Sequence, residues 1–426
     1  MSQPRSQARH RVRALENPGF RRLVLLAAGI PIAAFYAWTT LLQPFLFRPD
    51  FPDFSQCFRA AERLRGGTDP YLPFFQVNHY SYSGTECAYA PLTAWLVTPL
   101  TPLGYENAAL LVLVLLQLCV ALFLVLTYRA LRPLSGDEVA LGVLLALGFE
   151  PLFANLWNDQ SNLLVLVLSG AVLAAYVTGD RWWGGACYGL ALALKPVQPA
   201  VGLLLIWGRR RWMVAASVVA GVLVSLLPGP GLLLEYLTRV LPREAGGTGF
   251  RDNAAPAGFL ERLFHPASFY DASAPGGVAV KLLWLAVVLA ILGLSWWRLG
   301  RTPREDGLGR AVEMALAVTV STLVLSISHS FHLVLLLLPI LVLLRVGIAR
   351  GDVALLACAG AAWLLVGPVH SSMLSAIGNH FTQDLVLRVW NESQLLGILV
   401  LWAGCLRALG APAAVTARPS SRPSLP

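Results

Sequence analysis

Residues 106–128 read ENAALLVLVLLQLCVALFLVLTY, and no charged side chain follows Glu106 until Arg129. A helix needs about 20 consecutive apolar residues to cross the hydrocarbon core of a bilayer. This stretch is long enough, and it is one of many. Working outward from it, apolar segments run over 22–43, 138–157, 161–178, 182–194, 196–207, 212–230, 277–298, 311–327, 332–348, 353–370 and 385–406. The whole chain has 426 residues, 56% of them hydrophobic and only 13% charged, with a mean hydropathy of +0.64. A soluble protein of this length would need far more surface charge. The sequence therefore predicts an all-α polytopic integral membrane protein with about twelve transmembrane helices.

The net charge of +9 is nearly all arginine, with lysine only at Lys195 and Lys281. The arginines stand beside apolar segments, as membrane orientation requires, and are not a nucleic-acid signal. Arg5, Arg9, Arg11, Arg13, Arg21 and Arg22 precede the first span. No signal-peptide cleavage pattern follows them, so that span is expected to be retained with the N-terminus cytoplasmic. The next cytoplasmic loops then hold Arg129 and Arg132, Arg181, Arg209 to Arg211, Arg298 to Arg310, Arg345 and Arg350, and finally Arg407 and Arg418. This placement makes 182–207 a broken hairpin turning at Lys195-Pro196, because a straight helix would put Arg209 to Arg211 outside. Residues 89–104, YAPLTAWLVTPLTPLG, read as a re-entrant piece broken by prolines. The expected organisation is a basic N-terminus (1–21), one membrane domain (22–407) with large outer loops at 44–105 and 231–276, and a disordered cytoplasmic tail (408–426).

Polar motifs then collect on the opposite, extracytoplasmic face. The first outer loop contains RPDFPDFSQCFRAAERLRGGTDPYLP from Arg48 to Pro73. Phe54, Phe58, Ala61 and Leu64 recur at helical spacing with Gln56, Arg59, Glu62 and Arg63 on the other side, which predicts a short amphipathic helix on the membrane surface. The same face receives Asn158-Asp159-Gln160-Ser161-Asn162, Lys195, the 251–262 stretch with Arg251 and Arg262, Ser328-His329-Ser330-Phe331-His332, and His370 to Asp384. Polar and charged groups near a bilayer interior are costly and tend to be functional. Cys57 and Cys87 share the first outer loop, and a disulfide between them is one option in an oxidising compartment.

Asp53, ahead of Phe54-Ser55-Gln56, reads from the residues alone first as a helix N-cap with Gln56 in the reciprocal capping position. A catalytic base is the other reading, with Asp50 as its fallback. His329 and His332 are three apart at a helix start, so they share a face and suit either a phosphate or backbone partners. Two histidines without a carboxylate at suitable spacing do not make a metal site, and no metal or cofactor is expected. Lys195 at its proline break suits a lipid phosphate or snorkels to the interface. Asn158, Gln160 and Asn162 suit sugar hydroxyls or a turn between spans. Arg251 and Arg262 suit a phosphate or acceptor, or a solvated surface.

In this order the motifs resemble glycosyltransferase family 87, multi-spanning enzymes of the GT-C type that use a polyprenyl-phosphate-linked sugar, usually mannose. The matching pieces are Asp53-Phe54, Phe58-Arg59-Ala60-Ala61 and Gly67-Thr68-Asp69-Pro70-Tyr71. Tyr89-Ala90-Pro91-Leu92 is similar to Y-x-P-P-L, and Asn158 to Asn162 to N-G-Q-x-N. Gly189-Leu190-Ala191 through Lys195-Pro196 is similar to G-L-A-x-x-x-K-P, and Ser328 to Pro339 to S-W-x-H-H-L-V-x-L-x-P. His329 stands at the tryptophan of that last pattern and Phe331 at its first histidine, while His332 fits the second. The resemblance implies a GT-C-like bundle in which Asp53 is the general base. His332, His329, Lys195, Asn158, Gln160, Asn162 and Arg251 would bind substrate. It implies inverting transfer of a hexose from the lipid-linked donor to a lipid or glycan acceptor, by a multi-pass protein of the plasma (inner) membrane with its site on the extracytoplasmic side. A transporter or flippase of a lipid-linked glycan is the competing reading. Such proteins often show repeated halves, and no internal repeat is visible here.

Overall fold

The computed structural model describes residues 18–47, 51–72, 88–244, 249, 253–266, 277–300, 304–367 and 392–410. The first six arginines less Arg21 and Arg22, the alternative acid Asp50, Cys87 and with it the Cys57–Cys87 disulfide, Arg251, His370 to Asp384 and most of the C-terminal tail lie outside the described residues.

The described chain is helical apart from one isolated bridge between Asn253 and His329. Helix α1 (Pro18–Tyr36) is prolonged to Phe47 through a wide π-turn, and α2 is Pro52–Arg65. Then come α3 (Pro91–Val97), α4 (Tyr105–Ala130), α5 (Gly136–Leu147), α6 (Glu150–Asn158) and α7 (Asn162–Thr178). The middle of the chain holds α8 (Trp182–Leu194), α9 (Pro199–Trp207), α10 (Arg211–Ser225) and α11 (Pro230–Glu244), which passes through a π-turn and lies at 110° to α10. It closes with α12 (Pro256–Phe264), α13 (Val278–Leu299), α14 (Gly307–Val324), α15 (Leu337–Arg350), α16 (Val353–Val366) and α17 (Ser393–Gly410).

Among the described residues six helices are long and apolar enough to cross a membrane, and eight if the bent pairs α5–α6 and α10–α11 each make one span. The expectation of about twelve counted shorter apolar pieces as well. The 9-residue α9 and 13-residue α8 are two of these, and neither reaches the length of a straight span by itself. Residues 91–103, read as re-entrant, form two short helical pieces that break at Thr98.

Burial separates a core from a shell. α14 and α15 lie inside the bundle, whereas α1, α4 and α13 turn apolar flanks outward. Leu26, Leu118 and Leu282 are each about 60% exposed. Bare leucine over several helices is unfavourable in water and expected against lipid tails. Helix contacts without a hydrophobic drive depend on close approach of small residues, and α8 on α10 is the sharpest case. A Cβ on Gly185 would lie 1.9 Å from the Met213 carbonyl oxygen, and one on Gly189 would lie 2.2 Å from that of Ser217.

The arginines assigned to one side of the membrane do gather at one end. Arg345 Nε donates to the Leu131 carbonyl, Arg310 Nη1 to that of Val177, and Arg21 pairs with Asp137. Arg298 Nε, Arg350 Nη1 and Arg304 Nη2 donate to the Leu406, Ala408 and Leu409 carbonyls, so three guanidiniums meet at the carboxyl end of α17. The Asp180 carboxylate accepts from the Trp212 and Met213 amides at the start of α10, so α8 and α9 run out and back as a hairpin. Lys195 is thereby carried to the far end from the arginines.

Candidate active site

Asp53 lies in the first turn of α2, but it does not cap the helix. Pro52 takes the first helical position, which proline's fixed φ and missing N–H suit, and Phe51 is the N-cap with no side-chain bond. Phe51 is held by Tyr105, whose hydroxyl accepts from its amide at 2.8 Å, and Tyr105 packs on Phe54 and Phe58 with centroids 5.9 and 5.7 Å away. The Asp53 carboxylate is left to accept a short hydrogen bond from Gln160 Nε2. Burial raises its pKa above the usual carboxylate range, and the Gln160 amide, the Lys195 charge and the Tyr89 hydroxyl oppose that rise.

Gln160 arrives there by a reversal. α6 ends at Asn158, and Asp159 adopts the left-handed conformation (φ 50°, ψ 49°). The amides of Asp159 and Gln160 both close on the Asn155 carbonyl. The Gln160 side chain then serves three groups. Its Nε2 donates to Asp53 and, at 3.0 Å, to the Tyr89 hydroxyl, and its Oε1 accepts from Lys195 Nζ at 3.4 Å. Lys195 sits where α8 stops, in extended backbone ahead of Pro196. Its ammonium lies 5.3 Å from the ring centre of Tyr89 and 5.2 Å from that of Phe331, close enough for cation–π attraction.

The histidines stand behind Phe331. The strap 326–329 is fixed by Asn253: its Oδ1 accepts from the Ser328 amide at 2.9 Å and its Nδ2 donates to the Ser326 carbonyl at 3.0 Å. Arg262 holds the Asn253 carbonyl at 3.0 Å and pairs with both oxygens of Glu392 at 2.6 and 2.7 Å. His332 Nδ1 accepts from the His329 amide at 3.2 Å. An accepting Nδ1 leaves the proton on Nε2, and Nε2 is buried with no hydrogen-bond partner among the described residues. The His332 and Phe331 rings meet edge-on at 4.8 Å.

The structure thus brings together Asp53, Gln160 and Lys195, with His332 and His329 adjoining through Phe331. Two of the expected sugar ligands have partners within the protein. Asn158 Nδ2 is turned onto its own helix, donating to the Ala154 carbonyl at 2.7 Å. Asn162 is fully buried and donates to Asn155 Oδ1 and the Phe331 carbonyl, so it secures the histidine segment from behind. Arg262 is neither a phosphate ligand nor a solvated side chain; it is a buried clamp. Among the described residues no group of three or more potential metal ligands comes together.

Sequence reasoning gave Asp159 no role of its own. It is 6% exposed, both carboxylate oxygens lack a hydrogen-bond partner among the described residues, and burial pushes its pKa up to about 8. It lines a cavity of about 150 Å³ together with Asp53, Tyr89 and Gln160. The cavity continues along apolar side chains of α3 and α4, including Leu96 and Leu115, which are also exposed on the outside of the bundle. Lys195 and His332 are not part of its lining. The detectable signal was the acid at the Gly position of the N-G-Q-x-N pattern.

A mostly buried carboxylate, a lysine and a donor-ready imidazole thus adjoin at one end of an apolar helical bundle. The chain belongs to glycosyltransferase family 87, whose model matches residues 88–326. That match includes Tyr89, Gln160 and Lys195, and Asp53 and His332 flank it. Among curated proteins, the chain is 35% identical over 192 residues to a polyprenol-phosphate-mannose-dependent alpha-(1-2)-phosphatidylinositol pentamannoside mannosyltransferase of Mycolicibacterium smegmatis, covering 43% of this chain and 42% of that one. It is 27% identical over 199 residues to an alpha-(1->3)-arabinofuranosyltransferase of Mycobacterium tuberculosis, covering 45% and 44%. The matched regions span under half the length of these relatives.

Proposed function

We propose that this chain transfers a hexose, mannose first among the candidates, from a polyprenyl-phosphate-linked donor to a hydroxyl of a lipid or glycan acceptor. In this reading the site opens on the extracytoplasmic side of the inner membrane, both termini are cytoplasmic, about twelve segments cross or enter the bilayer, and α2 lies along its surface. The observation that carries the proposal is the Gln160 bridge, which binds the Asp53 carboxylate with one end and the Lys195 ammonium with the other. A family relative whose name specifies polyprenol-phosphate-mannose supports the donor class.

The chemistry follows from those groups. Asp53 takes the proton of the acceptor hydroxyl as its oxygen attacks the anomeric carbon from the face opposite the phosphate. The bond from that carbon to the phosphate oxygen breaks, and the configuration inverts. No acid is needed, because the lipid phosphate leaves as an anion. The Lys195 ammonium offsets its growing charge, and the neutral His332 donates a hydrogen bond to it from Nε2–H. Burial strengthens Asp53 as a base, while the Gln160 amide keeps it oriented.

The test is transfer from radiolabelled polyprenyl-phosphate-mannose by purified protein, with Asp53→Asn as control. The variant should fold and lose about 10²- to 10⁴-fold in rate, the usual worth of a positioned base. An Asp53→Asn protein with wild-type turnover sinks the mechanism.

A further inference from the structure

We infer that Asp159 is a sugar-binding residue: it lines the same cavity as Asp53, and its carboxyl group holds two adjacent hydroxyls of a neutral sugar ring carried on a lipid. The inference rests on the sugar-transfer reading and adds a ligand contact to it.

Two independent costs mark this residue. The backbone at Asp159 is left-handed, at φ 50°. Its Cβ makes that conformation unfavourable, although Asp and Asn tolerate it better than other side chains. The side chain is also buried, and neither oxygen has a hydrogen-bond partner among the described residues. Buried polar groups are nearly always satisfied, and an exception calls for a ligand or a functional reason. Glycine at 159 would remove both costs, so a fold indifferent to function would favour it. Strain held in place beside a reacting group points to a role in binding or catalysis.

The cavity indicates the ligand. The polar residues among its lining are Asp53, Tyr89, Thr93, Asp159, Gln160 and Ser161. The Gln160 amide and the Asp53 carboxylate are already bonded to each other. Asp159 is left with two partnerless oxygens buried in the cavity wall, a number that suits a pair of neighbouring ring hydroxyls. Beyond them the wall is hydrocarbon and reaches the outward-facing Leu96 and Leu115, a path suited to a lipid tail. A polyhydroxylated head with an apolar tail fits both halves.

That chemistry belongs equally to the donor sugar and to a lipid-borne acceptor sugar, and binding distinguishes them. Affinities are measured for the full chain in detergent, in an Asp53→Asn background that prevents turnover. The probes are polyprenyl phosphomannose, polyprenyl phosphate without sugar, and octyl α-mannoside, each with Asp159 present and with Asp159→Gly. Weakening of phosphomannose by about tenfold or more, with bare polyprenyl phosphate within twofold, assigns Asp159 to the donor sugar. Weakening of octyl mannoside by that amount instead assigns it to the acceptor sugar. The midpoint of thermal unfolding of Asp159→Gly should equal or exceed the parent. Unchanged affinity for both sugar probes overturns the inference. So does an equal loss of bare polyprenyl phosphate, or a fall of several degrees in the midpoint, since either means that Asp159 is structural. If the wild-type chain transfers no mannose, the sugar-transfer reading fails, and the binding series still decides the role of Asp159.

Discussion

Gly189 tests how the bundle sets the site, because it lies remote from Asp53 yet on the helix that delivers Lys195. A Cβ there would sit 2.2 Å from the Ser217 carbonyl oxygen and 2.7 Å from the Gly221 nitrogen, whereas ordinary van der Waals contact begins near 3.4 Å. Both obstacles are backbone, so no rotamer can yield. Gly189→Ala must part α8 from α10 by about 1 Å, and overpacking of this kind costs about 1–3 kcal/mol. Lys195 is one and a half turns further along the same helix, with its ammonium already at 3.4 Å from Gln160. A further ångström takes it beyond hydrogen-bond reach. The expected result is a lower thermal midpoint in detergent together with a donor KM raised about tenfold, as for a lost bond to a charged group. Gly293→Ala in α13 is the control, since nothing lies within 4 Å of its Cβ; it should leave both quantities unchanged. A Gly189→Ala enzyme with wild-type stability and donor KM refutes the reasoning, as does equal damage from Gly293→Ala.

Three further outcomes follow. Asp159 has a folded-state pKa of about 8 against about 4 unfolded. Its protonated form favours folding, so that contribution is complete below about pH 4 and is lost as pH rises towards 8. Thermal midpoints should therefore fall between pH 5 and 8 more steeply for wild type than for Asp159→Asn, and parallel curves count against the buried acid. Arg262→Met strands the Glu392 carboxylate and should cost about 3–5 kcal/mol. Adding Glu392→Leu should recover part of this, and strict additivity in equilibrium unfolding would show that the pair is uncoupled. His332→Ala should raise donor KM about ten- to a hundredfold, with His332→Gln intermediate because an amide donor survives. Equal KM values for all three proteins in a steady-state assay remove His332 from the phosphate site.

Bilayer physics made much of the fold legible. Hydropathy picked out the helices, and the arginine rule placed at one end Arg298, Arg304 and Arg350, which there share a single helix terminus. The hairpin at Lys195-Pro196 followed from proline and charge together. Other parts depended on detail that patterns do not encode. Pro52 shifts the start of α2 by one residue, which moves Asp53 off the cap that its neighbours suggested. In the polar run from Asn158 to Asn162 all members look alike in sequence. Only the left-handed turn at Asp159 decides that Gln160 meets Asp53 while Asn158 and Asn162 turn away. Asn253 and Arg262 were illegible because their partners, Ser328 and Glu392, are 75 and 130 positions away.

The three guanidiniums gathered on Leu406, Ala408 and Leu409 give one charge two separable duties. In the proposed topology each arginine would instruct the insertion machinery which way the chain should thread, and in the folded protein each fastens the final helix to the rest. Lysine would carry the first instruction equally well, since only positive charge is read. It lacks the rigid planar fork that suits arginine to a fixed set of acceptors. A triple Arg→Lys exchange should therefore yield a correctly threaded protein whose last helix peels away first on heating, uncoupling biogenesis from durability in a single molecule.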